Sequence, residues 1–302
     1  MAELSTPAPV PSAAPSGRTP WHAFIPPWLL CTPAFVLFAL LVIVPLVMTL
    51  VLTFYRFDPA TGPIAAFQLG NYAEVLTDGY YQTIFLRTLW IAALTTLLCM
   101  VIGGPEAYIL YRMREPWRSV FLLVILAPLL VSVVVRAFGW SMLLGADGLV
   151  NKALILFRLG PYKILYTQVA IVIALVHVML PFMVIPVWTA LQKLDPQVEN
   201  AALSLMASPA TTLRRIVLPQ VLPGVLSGSL MVFALSASAF AIPGLLGGRR
   251  LKVVPTAVYD EFLGSLNWPL GATIALILLA ANLLIMLTYQ RLLERKYSRA
   301  MG

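Results

Sequence analysis

Six stretches of the chain, 28–54, 84–111, 119–144, 164–191, 221–243 and 270–292, are each apolar for more than 20 residues and end at charges, Gly or Pro. A helix rises about 1.5 Å per residue and the hydrocarbon core of a bilayer is about 30 Å thick, so roughly 20 apolar residues suffice to cross it. The pattern predicts an all-α membrane protein with six transmembrane helices. Pro33, Pro45, Pro105, Pro128 and Pro181 fall inside these runs. Neighbouring helices satisfy the carbonyls that such prolines free, so the expectation is kinks and not breaks. Residues 1–27, rich in Pro, Ala and Ser and without the apolar core of a signal peptide, read as a disordered tail. Residues 28–292 read as one membrane domain, and 293–302 as a second short tail.

Composition sharpens this picture. Hydrophobic residues make up 60% of the 302 positions and charged residues 11%, against about 25% charged in soluble domains, and the mean hydropathy is +0.90. A soluble enzyme is excluded. The net charge of +8 is scattered between apolar runs and is not gathered into a basic face with stacking aromatics, so a membrane surface explains it and nucleic acid does not. Cys31 and Cys99 lack the paired spacing of a disulfide framework or metal site, and His22 and His177 are the only histidines. No metal centre is expected.

Charge also orients the chain, because cationic loops resist translocation. One set of loops carries eleven basic and five acidic residues, a net +6; the other carries seven and six, a net +1. The first set holds both termini and the 192–219 segment, which are therefore expected in the cytoplasm.

That segment, the longest on its side, has its own pattern. Asp195 stands as an N-cap before Pro196 in the first turn of a short helix. Val198, Ala201, Ala202 and Leu205 follow at i, i+3, i+4 and i+7, a small apolar face. Pro209 is expected to end that helix, and a second amphipathic piece, 211–218, sets Arg214 and Arg215 opposite Leu213, Ile216 and Val217. Without other information, a helix lying on the lipid headgroups fits as well.

Asn200, Ala201 and Ala202, then Met206, then after nine residues Ile216, Leu218 and Pro219, follow the spacing E-A-A-x-x-x-G…I-x-L-P. In this the chain resembles the permease subunits of binding-protein-dependent ABC importers, with Asn200 in place of Glu (Glu199 is one residue earlier) and Met206 in place of Gly. Further stretches resemble the polyamine (spermidine/putrescine) branch and its ferric-iron and opine relatives: 69–72 with Asn71, 136–151 from Arg136 to Asn151, 244–248, and 267–271. The resemblance implies a MetI-like fold in a bacterial inner membrane, and a coupling role for Glu199, Asn200, Ala201, Ala202, Met206, Ala207, Ile216, Leu218 and Pro219 in a groove of a cytoplasmic ATPase. It also implies two ATPase subunits, a second permease and an extracytoplasmic binding protein. The sequence contains no G-x-x-x-x-G-K-[ST] phosphate loop, so no cofactor is expected in this chain, and ATP and Mg are expected on the partner ATPases.

Charges inside a span are costly, about 2.5 to 3.5 kcal/mol on insertion scales, and three occur: Arg87, Glu106 and Arg136. The two arginines, near outer helix ends, are expected to snorkel; Glu106, after Pro105, faces either a cavity or the cytoplasmic interface. A polyamine needs carboxylates for its ammonium groups and aromatic faces for its methylenes. Asp147, Asp260 and Glu261, near Trp140, Tyr259, Phe262 and Trp268, supply both as a vestibule, or form the lip on which a binding protein docks. Ser236 and Phe240, in a small and polar stretch of the fifth span, suit helix packing or a polar path, with packing the simpler reading. The candidate substrate path is therefore Glu106, Arg136, Trp140, Asp147, Ser236, Phe240, Asp260, Glu261 and Trp268. Ferric iron, an opine or an aminophosphonate are alternative cargoes of the same class. An ion-coupled secondary transporter is the runner-up, and a membrane enzyme fails for want of a catalytic set.

Overall fold

The computed structural model describes residues 27–248 and 250–300. All but the last residue of the expected N-terminal tail lies outside the described residues, as do Arg249 and residues 301–302. The chain divides into two units, 1–49 and 50–302. The described part of the first, 27–49, is most of helix α1 (Pro27–Leu52), whose window Cys31–Leu52 is long and apolar enough to span a membrane and runs through Pro33 and Pro45 unbroken.

After the last residues of α1, the second unit has a hairpin, β1 (Arg56–Asp58) against β2 (Gly62–Ile64), antiparallel with Phe57 opposite Pro63. Helices α2 (Gly70–Thr77) and α3 (Gly79–Arg112) follow. Asp78 Oδ1 accepts the Tyr80 N–H at 2.8 Å, giving α3 the N-cap that its first unpaired amides need. Next come α4 (Trp117–Leu130), α5 (Val133–Leu144), α6 (Leu149–Leu156) and α7 (Gln168–Leu191), the last capped by Thr167. The short α8 (Pro196–Ser204) and α9 (Pro209–Thr212) precede α10 (Leu218–Ala237), and α11 (Ala241–Leu246), α12 (Val254–Tyr259) and α13 (Trp268–Ala300) complete the chain. The backbone of 293–300 thus prolongs the last helix.

Helices α3, α7 and α10 pack on one another to form the main core, around Cys99, Leu110, Leu175, Met183, Val184 and Val232. Hydrophobicity gives no reason for helices to associate in lipid, so close backbone approach must supply the contact. Two glycines of α10 provide it. A Cβ on Gly224 would stand 2.6 Å from Ala190 Cβ and from the Pro186 carbonyl oxygen, and one on Gly228 would stand 2.9 Å from Met183 Sδ. Ser236 and Ala237 are buried at the far end of the same helix. A second, smaller core joins α2, α3, α12 and α13 through Val75, Ile84, Val254, Ala257, Leu270 and Ile274.

The structure corrects three expectations. The apolar run 119–144 is not one kinked helix but α4 and α5, with extended backbone at Val131 and Ser132 just after Pro128. A proline that removes one ladder bond is followed there by Val131, whose branched side chain disfavours the helix, and by Ser132 at the N-cap of α5. The apolar segment long enough to cross is Val133–Leu156, α5 with α6. The fifth span ends at Ala237 and not at 243, because Ser238–Phe240 separates α10 from α11. Lastly, Pro209 begins a helix instead of ending one. From Pro209 the chain winds through α9 and a wide π turn (Leu213–Val217) directly into α10, so the second amphipathic piece is the foot of the fifth span.

Candidate functional site

Two regions at opposite ends of α10 carry the candidate residues. At its start lies the 192–219 segment. Asp195 caps α8 as expected: its Oδ1 accepts the Gln197 N–H at 2.9 Å and its carbonyl the Val198 N–H at 3.1 Å. The other end of α8 closes with the Leu205 N–H on the Ala201 carbonyl and the Ala207 N–H on the Ala202 carbonyl, both at 3.1 Å. The six-residue closure requires a left-handed residue between, and Met206 takes it at φ 59°. Ser208 then caps α9, its Oγ accepting the Thr211 N–H at 3.2 Å.

The apolar face read from the sequence divides in two. Ala202 is buried where α8 packs on α9 and the π turn, while Val198, Ala201, Leu205 and Met206 are exposed. Ala207 and Ile216 are half-buried, and Leu218 and Pro219 are exposed. Glu199 and Asn200 stand within α8, but their side chains lie outside the described residues. The outcome is a short, doubly capped helix braced on one side by Ala202 and presenting exposed apolar side chains on the other.

At the far end of α10, a cavity of about 760 Å³ opens between α11, α12 and the π turn Asp260–Gly264. Phe240 and Tyr259 form one wall, their ring centroids 4.8 Å apart. Asp260 and Glu261 also line it. Asp260 Oδ2 is 2.8 Å from Lys252 Nζ, and this bond holds the ammonium's pKa above its ordinary value. Glu261 Oε2 accepts the Ser265 hydroxyl at 2.5 Å. Outside the cavity, the Glu74 carboxyl is pushed above the usual range, first by burial and then by the Glu261 and Asp78 carboxylates.

Of the candidate path, the structure brings Phe240, Asp260 and Glu261 together, and Tyr259 with them. It does not bring Trp140, Asp147 or Trp268 there. Trp140 Nε1 donates to His177 Nδ1 at 3.3 Å on α7, Asp147 is exposed on the turn after α5, and Trp268 Nε1 donates to the Phe262 carbonyl at 3.2 Å. Glu106 Oε2 and Ser236 Oγ are buried without a hydrogen-bond partner, within α3 and α10 respectively.

The snorkelling expectation for the two arginines is corrected. Arg87 turns inward, its Nη1 donating to the Lys252 carbonyl at 3.0 Å, because the strap between α11 and α12 crosses above it. Arg136 Nε and Nη1 are buried without hydrogen-bond partners, since α7 and α11 pack against α5. Sequence reasoning missed Lys252 and His177. Lys252 was one of several loop cations, and its partner Asp260 is eight residues away, across α12. His177 was an isolated histidine until the fold set α7 beside Trp140.

The stretches that carried the resemblance prove to be anchors of irregular backbone. Asn71 Nδ2 donates to the carbonyls of Thr53 and Tyr55 at 2.8 and 2.9 Å. Asn151 Nδ2 donates to the Gly145 carbonyl at 2.9 Å while its Oδ1 accepts the Tyr162 N–H at 3.0 Å. Gly248, at φ 60°, lies under the Tyr166 ring.

This arrangement of helices is known. It is similar to a chain of a bacterial ABC transporter involved in the import of the acidic polysaccharide alginate, with a TM-score of 0.75 at 16% identity, covering 89% of this chain and 96% of that one. It is also similar to a chain of the methionine ABC transporter MetNI in an inward-facing conformation, with a TM-score of 0.56 at 16% identity, covering 72% and 99%. The fold is the MetI-like fold of ABC transporter permeases, and the chain is a multi-pass membrane protein. No protein-family model matches the chain. Among curated proteins, it is 32% identical to the spermidine/putrescine transport system permease protein PotB of Salmonella typhimurium over 264 residues, covering 86% of this chain and 92% of that protein. It is 31% identical to PotB of Escherichia coli over 262 residues, covering 85% and 95%. The chain belongs to the family of ABC transporter permease subunits that includes these PotB proteins.

Proposed function

We propose that this chain is the transmembrane permease subunit of an ATP-driven importer of putrescine and spermidine in a bacterial inner membrane. The observation that carries the reading is the likeness to PotB over 86% of the chain, joined to a capped α8 whose exposed Val198, Ala201 and Leu205 offer a surface to a cytoplasmic partner. Two ATPase subunits bind ATP and Mg and receive α8 in a groove; Glu199, Asn200, Ala201, Ala202, Met206, Ala207, Ile216, Leu218 and Pro219 form this contact. A second, homologous permease completes the pathway, and an extracytoplasmic binding protein delivers the substrate. Both termini and the 192–219 segment lie in the cytoplasm, as the charge bias supports. The chain contributes no catalytic residue; closure of the ATPases drives alternating access.

One observation favours a second cargo within the same class. Arg136 Nε and Nη1 are buried without partners and stand within electrostatic range of His177, a setting that suits an anionic ligand such as an opine, an aminophosphonate or a ferric chelate. Uptake of radiolabelled spermidine by cells with and without the gene, with each of these as competitor and with energy poisons in parallel, tests both readings. Gene-dependent, ATP-driven uptake competed only by polyamines is expected. Competition by an anion would replace the substrate, and dependence on the proton gradient would replace the mechanism.

A further inference from the structure

The cavity at the far end of α10 has the size of a small-molecule site and an unusual occupant. Its wall contains two adjacent aromatic rings, Phe240 and Tyr259, tilted 33° to one another, and two carboxylates, Asp260 and Glu261. Into it reaches the side chain of Lys252, an alkyl chain ending in an ammonium whose Nζ rests 2.8 Å from Asp260 Oδ2. Among the described lining residues it is the one base. Chemically, Lys252 is a primary alkylamine on a tether, seated where carboxylates and aromatic faces would receive an untethered one.

We propose that the cavity is an alkylammonium subsite in which Lys252 is a built-in competitor: it holds Asp260 at rest and yields the carboxylate to an ammonium group of the passing substrate. The inference rests on the polyamine reading above and assigns that reading a place and a specificity-determining residue.

Three features make the exchange feasible. The ion pair is not sealed from water, with 36% of the Lys252 side chain and 47% of the Asp260 side chain accessible, and an ion pair so exposed is held only weakly. The Lys252 backbone is fixed while its ammonium swings: its carbonyl accepts Arg87 Nη1 at 3.0 Å, and two residues on the Val254 N–H donates to Thr88 Oγ1 at 2.9 Å. The Tyr80 side chain also lies within interaction range of the ammonium, a polar neighbour that remains when Asp260 is taken. An incoming diammonium meets Asp260, Glu261 and the faces of Phe240 and Tyr259 together, which a single tethered ammonium does not use. The Glu74 carboxyl, close enough to Glu261 to feel its charge, adds to the acidic character of this end.

The test uses the complete transporter, this chain with its partner subunits, in nanodiscs for equilibrium binding of labelled putrescine and spermidine and in proteoliposomes for ATP-driven uptake. Asp260→Asn is expected to raise the half-saturating concentration about tenfold, since it removes a charge partner of the ligand. Lys252→Met is expected to lower it about threefold, the scale of a weak exposed ion pair released. Tyr259→Leu should raise it, because it removes an aromatic face from the wall. The opposite signs decide the matter: an ion pair that only braces the fold is lost equally in Asp260→Asn and Lys252→Met, so both variants would shift together. A shift in the same direction, or none in either, overturns the proposal while wild-type uptake leaves the polyamine reading standing. Absence of polyamine uptake by the wild type overturns that reading, and the proposal with it.

Discussion

Met206 occupies a backbone position that suits glycine. At φ 59° it closes the end of α8, and its side chain is 95% exposed, so truncating it removes no packing. A left-handed conformation costs an L-residue about 1 to 2 kcal/mol. Glycine escapes this cost but loses about 0.4 to 1 kcal/mol through its freer unfolded chain. Met206→Gly should therefore stabilise the closed end of α8 by about 0.5 to 1 kcal/mol, a factor of roughly two to five in the local opening equilibrium. The bond to observe is the Ala207 N–H on the Ala202 carbonyl. Hydrogen exchange read by mass spectrometry on peptides covering 200–210 should slow by that factor in Met206→Gly. Met206→Ala, which keeps the conformational cost and merely shortens the side chain, should exchange like the wild type, and Met206→Val should exchange faster. Equal behaviour of the Gly and Ala variants would refute the reasoning, because the effect would then owe nothing to the backbone angle.

Other outcomes follow from the packing and charge. Gly224→Val places atoms 2.6 Å from Ala190 and the Pro186 carbonyl; it should cost about 1 to 3 kcal/mol or more and lower the thermal midpoint, whereas Gly79→Ala, with nothing within 4 Å, should leave it unchanged or slightly raised. Asn71→Leu strands two carbonyls, those of Thr53 and Tyr55; about 2 to 4 kcal/mol should appear as a lower denaturation midpoint. For Glu74 the folded pKa is raised, so its ionisation opposes folding as the pH climbs from its ordinary 4.5 through the raised value. Glu74→Gln should accordingly raise the thermal midpoint at neutral pH, with the gain shrinking as the pH falls towards 4.5 and vanishing below it. A constant gain across that range would show that charge is not the cause.

What the sequence revealed and what it hid divide along physical lines. Asp195 before Pro196 is a local signal, settled by two adjacent residues, and the structure places the cap there. The number of spans was legible because hydropathy measures length in lipid. The break after Pro128 was not, since Val131 and its neighbours are as apolar as a continuous helix would be. The same blindness extended the fifth span to 243: Ser238 and Ala239 carry no polarity strong enough to mark an end. At the candidate sites, Asp260 and Glu261 were visible as charges, but their company was not. Tyr80 and Lys252 are far apart along the chain, and only the packing of α12 against α3 and α13 brings them to one place. Arg87 and Arg136 looked alike by position, yet one finds a carbonyl and the other finds none, a difference made by the strap that passes over the first.

The helical path from Pro209 to Ala237 is 29 residues long, a rod of about 44 Å. Its foot stands beside α8, and three residues beyond its tip Phe240 forms part of the cavity wall. Such a rod is a lever. A tilt of about 5° at the foot sweeps the tip through about 4 Å, comparable to the thickness of an aromatic ring. Under the proposed coupling role, a push on α8 and a change in the width of the chamber would be two ends of one displacement, simultaneous by geometry.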